Sequence, residues 1–408
     1  MTAIASDQQG ALRRLRALAM QDEALQGAMR RADDEQFVAL CMNAAAAQAI
    51  PLATETARAA MAPDPLGLAR FGSGAADGTA WPPRQWLPVH AAEIDGRFFV
   101  DWAHFGGERL TEPFFEQSMR KALAHPFNRV FRYRMSIEDF VAQANGEQNL
   151  APSGFIFHMS RCGSTLVSQM LAALHGNIVV SEAPPIDAVV QLSRLRPDLP
   201  PEQRLKALTA MIAAFGRRRT GNERHYVIKF DAWHALALPL LRRAFPAVPW
   251  LFLYRHPVEV LISQLQMPGM QMIQQFVPAS LYGIDGFDDA EDYYARVLAK
   301  TCEAALDAGG GLLINYRDLP QAAFTRILPH FGMACDESER AVMSEAARFD
   351  AKNPQFEFTN DSADKRRQAS VRTGALAERH LGEIYRRLEA ASGSASAAQS
   401  RAGLAAGR

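Results

Sequence analysis

The segment from Gly154 to Met170 constrains the fold more than any other part of the chain. Phe155, Ile156 and Phe157 run into a polar turn at Ser160 and Arg161, and an amphipathic stretch then opens on Gly163, Ser164 and Thr165. A strand that turns directly into a helix brings unpaired N–H groups and the positive end of the helix dipole to one point, where an anion can sit. A nucleoside triphosphatase loop of this geometry reads G-x-x-x-x-G-K-[ST]. Here Cys162 precedes the glycine, no lysine follows it, and the cation is Arg161 on the other side. The loop is therefore expected to hold a phosphate-like anion other than magnesium-ATP.

Short apolar runs and helical segments alternate from this point on. Strands are expected at Phe155–Met159, Asn177–Val180, Tyr226–Phe230, Trp250–Tyr254 and Leu312–Asn315. Helices are expected at Thr165–Leu174, Ile186–Leu195, Glu202–Phe215, Ala235–Ala244, Val258–Leu265 and Asp289–Leu306. This pattern predicts an α/β fold, a P-loop-like three-layer arrangement with a central parallel sheet flanked by helices. In such sheets ligands bind beyond the carboxyl ends of the strands, where the motifs fall. Residues 1–61 read as a small helical N-terminal region, with Leu12, Leu15, Leu18, Leu25, Met29, Phe37 and Leu40 at helical spacing. Residues 62–85, rich in proline and glycine, read as a linker, and 86–390 as the main domain with its core at 154–388. The tail over 391–408 is rich in Ala, Ser and Gly and is expected to be disordered. Aromatic residues between Trp86 and Phe131 are expected to pack against the following domain or to wall an acceptor pocket.

Lys plus Arg and Asp plus Glu both number 44, so the formal net charge is zero. A phosphate backbone calls for a net basic face, and nucleic acid is not expected as a partner. Cys41, Cys162, Cys302 and Cys335 have no C-x-x-C spacing, so neither a zinc site nor a disulfide framework is suggested. No signal peptide is visible and no window approaches the roughly 18 apolar residues of a membrane helix. A cytoplasmic protein is expected, and the richness in Ala, Arg and Pro points to a GC-rich bacterial genome.

A second informative stretch runs from Pro249 through Arg255, His256 and Pro257 to Ser263 and Gln264. A strand ends at Arg255, and Pro257 takes the first helical position, where its missing N–H costs nothing. A guanidinium at a strand end suits a terminal phosphate through bidentate bonds, although the motif alone also fits a strand-end ion pair.

Together the two stretches resemble the 5′-phosphosulfate loop and the 3′-phosphate motif of the sulfotransferases, which use 3′-phosphoadenosine 5′-phosphosulfate (PAPS). The loop, with its x-x-R-x-G-S/T-T pattern, is closer to the tyrosylprotein and bacterial branches than to the cytosolic branch, which has lysine there. The family's Arg-x-Pro followed by serine is matched by Arg255, Pro257 and Ser263. Tyr316, Asp318 and Leu319, followed by Phe331 and Gly332, are similar to the region after the family's last core strand. The resemblance spans roughly Gly154 to Leu388. It implies that the loop from Arg161 and Cys162 to Gly163, Ser164 and Thr165 holds the 5′-phosphate, with Cys162 contributing only its backbone. It also implies that Arg255 and Ser263 hold the 3′-phosphate, and that no metal is required.

Sulfuryl transfer resembles phosphoryl transfer, in which positioning and electrostatics supply most of the catalysis. Arg161 is expected to stabilise charge on the leaving oxygen. Lys229, at the end of the strand Tyr226–Phe230, is the expected second cation; in the resembling branches a lysine there contacts the sulfuryl group. An ion pair with Asp231 or Glu182 is its plainer role. The cytosolic branch places a base histidine two residues after this lysine, where this chain has Asp231. A glutamate after the neighbouring strand is the base in the tyrosylprotein branch, so Glu182 is the favoured general base and Asp231 the runner-up. A raised carboxyl pKa is expected of such a base. A helix-capping role before Pro184 and Pro185 is the alternative for Glu182. The basic cluster from Asp361 to Arg372 sits where the family has a 3′-phosphate loop, which implies Lys365 and Arg367. Residues 17–40 resemble a Nif11-type helical segment, which occurs in leader regions of peptide natural products and in fusions.

The leading expectation is a PAPS-dependent sulfotransferase acting on a hydroxyl or amine of a small-molecule or peptide acceptor. A nucleotide kinase with an altered phosphate loop and a non-catalytic binding protein that presents its N-terminal helices are the alternatives. Acceptor identity and oligomeric state are not encoded in any motif of the chain.

Overall fold

The structure, a computed structural model, describes residues 6–64, 76–144, 149–353, 355–357 and 361–393. Residues 65–75 of the expected linker and 394–408 of the expected tail lie outside these described residues. The chain forms two compact units, Met1–Ala151 with Ala183–Glu223, and Pro152–Glu182 with Arg224–Arg408.

The first unit is built on a four-stranded sheet of β1 (Ala76–Asp77), β2 (Trp86–Ile94), β3 (Arg97–His104) and β4 (Tyr133–Ser136), in the order β1-β4-β3-β2. Helices Ser6–Met20, Glu23–Arg31 and Asp34–Ala47 precede it; Asp22 caps the second, and Asp33 with Gln36 forms a capping box on the third. These helices are fastened to the sheet's core. Trp86 donates its indole N–H to Gln26 Oε1 at 2.9 Å, and Arg16 donates to the Val130 carbonyl at 2.5 Å.

The aromatic segment accounts for this core. Trp86 meets Phe127 edge-on at 5.7 Å, Trp81 stacks on Phe140 at 5.3 Å, and Phe115 meets Phe215 at 5.0 Å. Arg217 is buried, donates to the carbonyls of Pro82 and Trp86, and lies over the rings of Trp81 and Trp102. The observed division thus differs from a break in the 62–85 linker, because the residues either side of that stretch share one aromatic core.

The second unit carries the parallel sheet: β5 (Gly154–His158), β6 (Asn177–Ser181), β7 (His225–Lys229), β8 (Trp250–Tyr254) and β9 (Leu312–Asn315). Its order is β6-β7-β5-β8-β9, and every neighbouring pair is parallel. Four of the five strands are buried at every residue and β7 at all but its first, which is why they read as continuous apolar runs rather than alternating ones. Helices Ser164–Ala173, Pro257–Gln266 and Ala290–Ala308 are among those that flank the sheet. The α/β three-layer expectation holds, and each expected strand matches its observed position to within one residue at either end.

The order places β5 in the middle, with the chain moving first to one edge and later to the other. The carboxyl ends on either side of β5 therefore flank a crevice at a topological switch point.

Candidate active site

Each carboxyl end of the parallel sheet contributes to the site. After β5 the backbone turns through Ser160 (φ 75°), Arg161 (φ 52°) and Gly163 (φ 83°) before helix Ser164–Ala173 begins. Alternation of left-handed Arg161 and Gly163 about Cys162 turns neighbouring N–H groups toward one concavity, the arrangement of a backbone anion nest. Position 163 favours glycine, since φ is 83° and a Cβ there would press on Leu319 Cδ1 at 2.7 Å and Tyr316 Cδ2 at 2.9 Å. The Cys162 thiol donates to the Leu253 carbonyl at 3.1 Å, and burial pushes its pKa up to about 12, so it remains a thiol. Arg161 donates to the Met267 carbonyl at 2.6 Å.

Behind the loop lies a buried acid–base cluster. Lys229, with 0% of its side chain exposed, places Nζ 2.8 Å from Glu182 Oε1 and donates to Thr165 Oγ1 at 3.2 Å. Glu182 follows β6 with φ 50°, a left-handed conformation costing a non-glycine residue about 1 kcal/mol or more. Its N–H donates to the Lys229 carbonyl at 2.8 Å, so backbone and side chain of the two residues are tied together. His158 Nε2 lies 3.4 Å from the same Glu182 oxygen.

The expected raised carboxyl pKa at Glu182 is not found. Burial does push it up, but the Lys229 ammonium and the His158 ring outweigh burial and hold the carboxyl well below the usual range. The ion-pair alternative for Lys229 is therefore realised, with Glu182 as partner. A capping role for Glu182 is not: the helix Pro184–Val190 has Ala183 at its N-cap and no side-chain cap.

Asp231 is placed differently. It caps the short helix Ala232–Ala237 in a capping box with His234, whose Nδ1 is 3.7 Å from its carboxylate. Lys352 was missed by sequence reasoning. Its ammonium pKa is pushed down to about 8 by burial and then by the Arg161 and Lys229 cations, against the pull of Glu182 and Asp350. Although the residue as a whole is exposed, its charge belongs to the same cluster. A lone lysine in a polar turn gives no signal that could have found it.

A second cluster forms after β8. Arg255 is buried and donates Nε to Glu259 Oε2 at 2.6 Å, and Nη2 to Asp361 Oδ1 at 2.8 Å and to Ser362 Oγ at 3.0 Å. Its guanidinium lies 4.2 Å from the centroid of the Tyr316 ring. Arg366 reaches Glu259 Oε1 at 2.7 Å, and Lys365 reaches Asp361 Oδ2 at 2.6 Å. A cavity of about 270 Å³ opens here, lined by Leu166, Arg255, His256, Tyr316, Leu319 and Arg366 among others. Ser263 is buried on helix Pro257–Gln266, and its neighbour Gln264 donates to Ser160 Oγ at 3.1 Å. Arg367 is not brought in. It is exposed and pairs with Asp364 on its own helix, while Arg366, one residue earlier, points into the cavity. A helical basic run puts only some of its members on the inner face, and the sequence does not say which.

Residues 152–337 match the model described as the sulfotransferase family. This segment belongs to the sulfotransferase family. Solved structures with some similarity include the sulfotransferase domain from the Synechococcus PCC 7002 olefin synthase, 20% identical over 57% of this chain and 95% of that one, with a TM-score of 0.36. The sulfotransferase domain from the curacin biosynthetic pathway is 16% identical, over 58% and 99% of the two chains, with a TM-score of 0.38. Sulfotransferase STF9 from Mycobacterium avium is 12% identical, over 60% and 81%, with a TM-score of 0.36. No curated protein matches the chain. The phosphate loop, Glu182, Lys229, Arg255 and Tyr316 all fall inside the family segment, whereas Lys352, Asp361, Lys365 and Arg366 lie beyond it.

Proposed function

We propose that the sulfotransferase domain moves a sulfuryl group from PAPS to a hydroxyl or amine acceptor by in-line displacement, with Glu182 as general base. One observation carries this reading: Lys229 Nζ bridges Thr165 Oγ1 of the phosphate loop and the Glu182 carboxylate, so one buried cation links an anion-binding loop to a base. The N–H groups of the loop, with Ser164 and Thr165, bind the 5′-phosphate. Arg255 and Arg366, with Lys365 joined to Arg255 through Asp361, supply the 3′-phosphate site, with Ser263 assigned to it by the family motif, and the 270 Å³ cavity beside Tyr316 takes the nucleoside.

The chemistry balances without a metal. The acceptor oxygen or nitrogen forms a bond to sulfur as the bridging bond to the 5′-phosphate breaks, and adenosine 3′,5′-bisphosphate leaves. The acceptor proton goes to Glu182. Both close contacts of Glu182 fall on Oε1, which leaves Oε2 to take that proton. Arg161 and Lys229 stabilise the charge that builds on the leaving oxygen, the type of electrostatic help that dominates such reactions. When the donor's oxygens compete for Lys229, Glu182 loses its strongest partner and becomes a better base.

The test is a transfer assay with labelled PAPS against a cell extract, with mass spectrometry reading a sulfate-mass gain. The expected result is a labelled product from the wild type, together with tighter binding of adenosine 3′,5′-bisphosphate than of magnesium-ATP. Preference for magnesium-ATP overturns the donor assignment. Glu182→Gln is expected to keep bisphosphate binding and lose on the order of 10² to 10⁴ in turnover. Full turnover in that variant moves the base to Asp231.

A further inference from the structure

His158, the last residue of β5, belongs to none of the donor-binding or base assignments above, yet it is buried between them. Its two ring nitrogens make different bonds. Nδ1 accepts the Ser160 N–H at 3.0 Å, and Nε2 lies 3.0 Å from the Phe230 carbonyl and 3.4 Å from Glu182 Oε1. A nitrogen that accepts from a backbone N–H carries no proton, so these bonds assign the proton to Nε2. Burial lowers the ring pKa, opposed by Glu182, and the ring stays neutral. A neutral ring whose lone-pair nitrogen already accepts the Ser160 N–H is not placed to take a proton from an acceptor substrate.

We propose that His158 is a positioning residue that couples the phosphate loop to the base carboxylate through its two ring nitrogens. At Nδ1 it secures the first turn of the loop, where Ser160 is held at φ 75°. At Nε2, held by the Phe230 carbonyl at 3.0 Å, the ring edge lies 3.4 Å from Glu182 Oε1 and limits where the carboxylate can sit when Lys229 turns to the donor. Among the described residues, three cations face Glu182, Lys229 at the end of β7, Arg161 in the loop and Lys352 in the turn near Asp350, and the His158 ring on β5 stands beside them. His158 is neutral, so it can position the carboxylate without neutralising it. This inference rests on Glu182 being the base, and its failure can be told apart from the failure of that reading.

Two substitutions separate the two ring nitrogens. In His158→Asn the side-chain oxygen stands in for Nδ1 and the reach to Glu182 is lost. In His158→Gln the amide nitrogen stands in for Nε2 and the cap on Ser160 is lost. The Asn variant is expected to bind adenosine 3′,5′-bisphosphate within about threefold of wild type and to lose on the order of 10 to 100-fold in kcat, the scale of a misplaced catalytic group. The Gln variant is expected to recover most of kcat while weakening bisphosphate binding. Equal losses in both variants, or wild-type kcat in the Asn variant, overturn the proposal. An independent reading needs no variant: ring ¹⁵N shifts of wild-type His158 between pH 6 and 8 are expected to show a neutral ring protonated at Nε2. A ring protonated at Nδ1, or a cationic one, overturns it as well. If the wild type transfers no sulfuryl group at all while the ring shifts are as expected, it is the functional reading that has failed.

Discussion

Lys229 and Arg255 are both buried cations, at the ends of β7 and β8 on either side of β5, and each is matched to carboxylates in a different manner. Lys229 pairs with Glu182 at 2.8 Å, and that partner is the proposed base. Arg255 pairs with two carboxylates. Glu259 is 2% exposed, is also held by Arg366, and stays ionised because these guanidinium bonds outweigh the upward push of burial. Asp361, by contrast, is 46% exposed. An inner carboxylate thus orients the arginine while an outer one covers its Nη2 edge, which an incoming phosphate can take over. At Lys229 the carboxylate that pairs with the cation is itself the proposed base. If Glu182 is the base, as proposed, whatever draws the lysine away alters the base itself, and holding the donor falls to the Arg255 cluster.

The largest effects come from exchanging these roles. Lys229→Met is expected to lower kcat on the order of 10² to 10³-fold while bisphosphate affinity stays within a few-fold. Arg255→Ala is expected to do the reverse, weakening bisphosphate binding by about 30-fold or more through loss of a buried charge pair. Titration calorimetry beside single-turnover kinetics checks both, and equal losses of binding in the two variants would erase the distinction. Lys229→Met also leaves the Glu182 charge unpaired, at a cost on the order of 3 kcal/mol. Adding Glu182→Gln is then expected to recover melting temperature but not turnover.

Gly163→Ala acts on both clusters, because the loop lies between them. The substitution forces a Cβ against Leu319 and Tyr316 at a backbone φ of 83°. A stability loss of about 1 to 3 kcal/mol is expected in urea unfolding, together with weaker bisphosphate binding. An unchanged denaturation midpoint would mean that Tyr316 moves aside, and the packing of Arg255 on its ring would then carry little.

What the chain reveals in advance follows from which forces act locally. The five core strands are legible because strands buried on both faces must be continuous apolar runs, and the phosphate loop because strand, glycine and helix start are contiguous. Arg161, Gly163, Lys229 and Arg255 sit at strand ends, so their convergence follows from the topology once the strands are placed. Lys352 and Arg366 reach the clusters through later segments whose docking no local pattern encodes. His158 is legible in the sequence only as a residue flanking the loop, and its two hydrogen-bond partners, the Ser160 N–H and the Phe230 carbonyl, are set by the fold. The aromatic residues from Trp86 onward were visible as a group, but their partners, the N-terminal helices and Phe215, come from distant parts of the chain.

A smaller effect separates the clusters by pH. The Lys352 ammonium, with a pKa near 8 in the chemical cluster, is charged below that value and neutral above it. A donor anion is favoured by the charged form, so bisphosphate affinity is expected to be full at pH 7 and to fall by about fivefold toward pH 9, the worth of roughly 1 kcal/mol for a partly exposed pair. Lys352→Arg, which cannot lose its charge in this range, is expected to flatten the profile. The same slope in both proteins would assign the titration elsewhere.

The smallest expected effect tests the holding cluster most directly. Asp361 occupies the Nη2 edge of Arg255 and also pairs with Lys365 at 2.6 Å, so in the absence of donor its carboxylate sits where a phosphate would be received. Asp361→Ala removes this competitor and leaves Glu259 to orient the arginine. Because Asp361 is half-exposed, its pairings are screened and worth no more than about 1 kcal/mol. Bisphosphate binding is therefore expected to tighten by about twofold to fivefold, and the gain to shrink in high salt. Glu259→Gln, which loosens the inner carboxylate, is expected to weaken binding instead. Opposite signs for two acids on one arginine are what separates a placeholder from a support, and weaker binding in both variants would make Asp361 a second support.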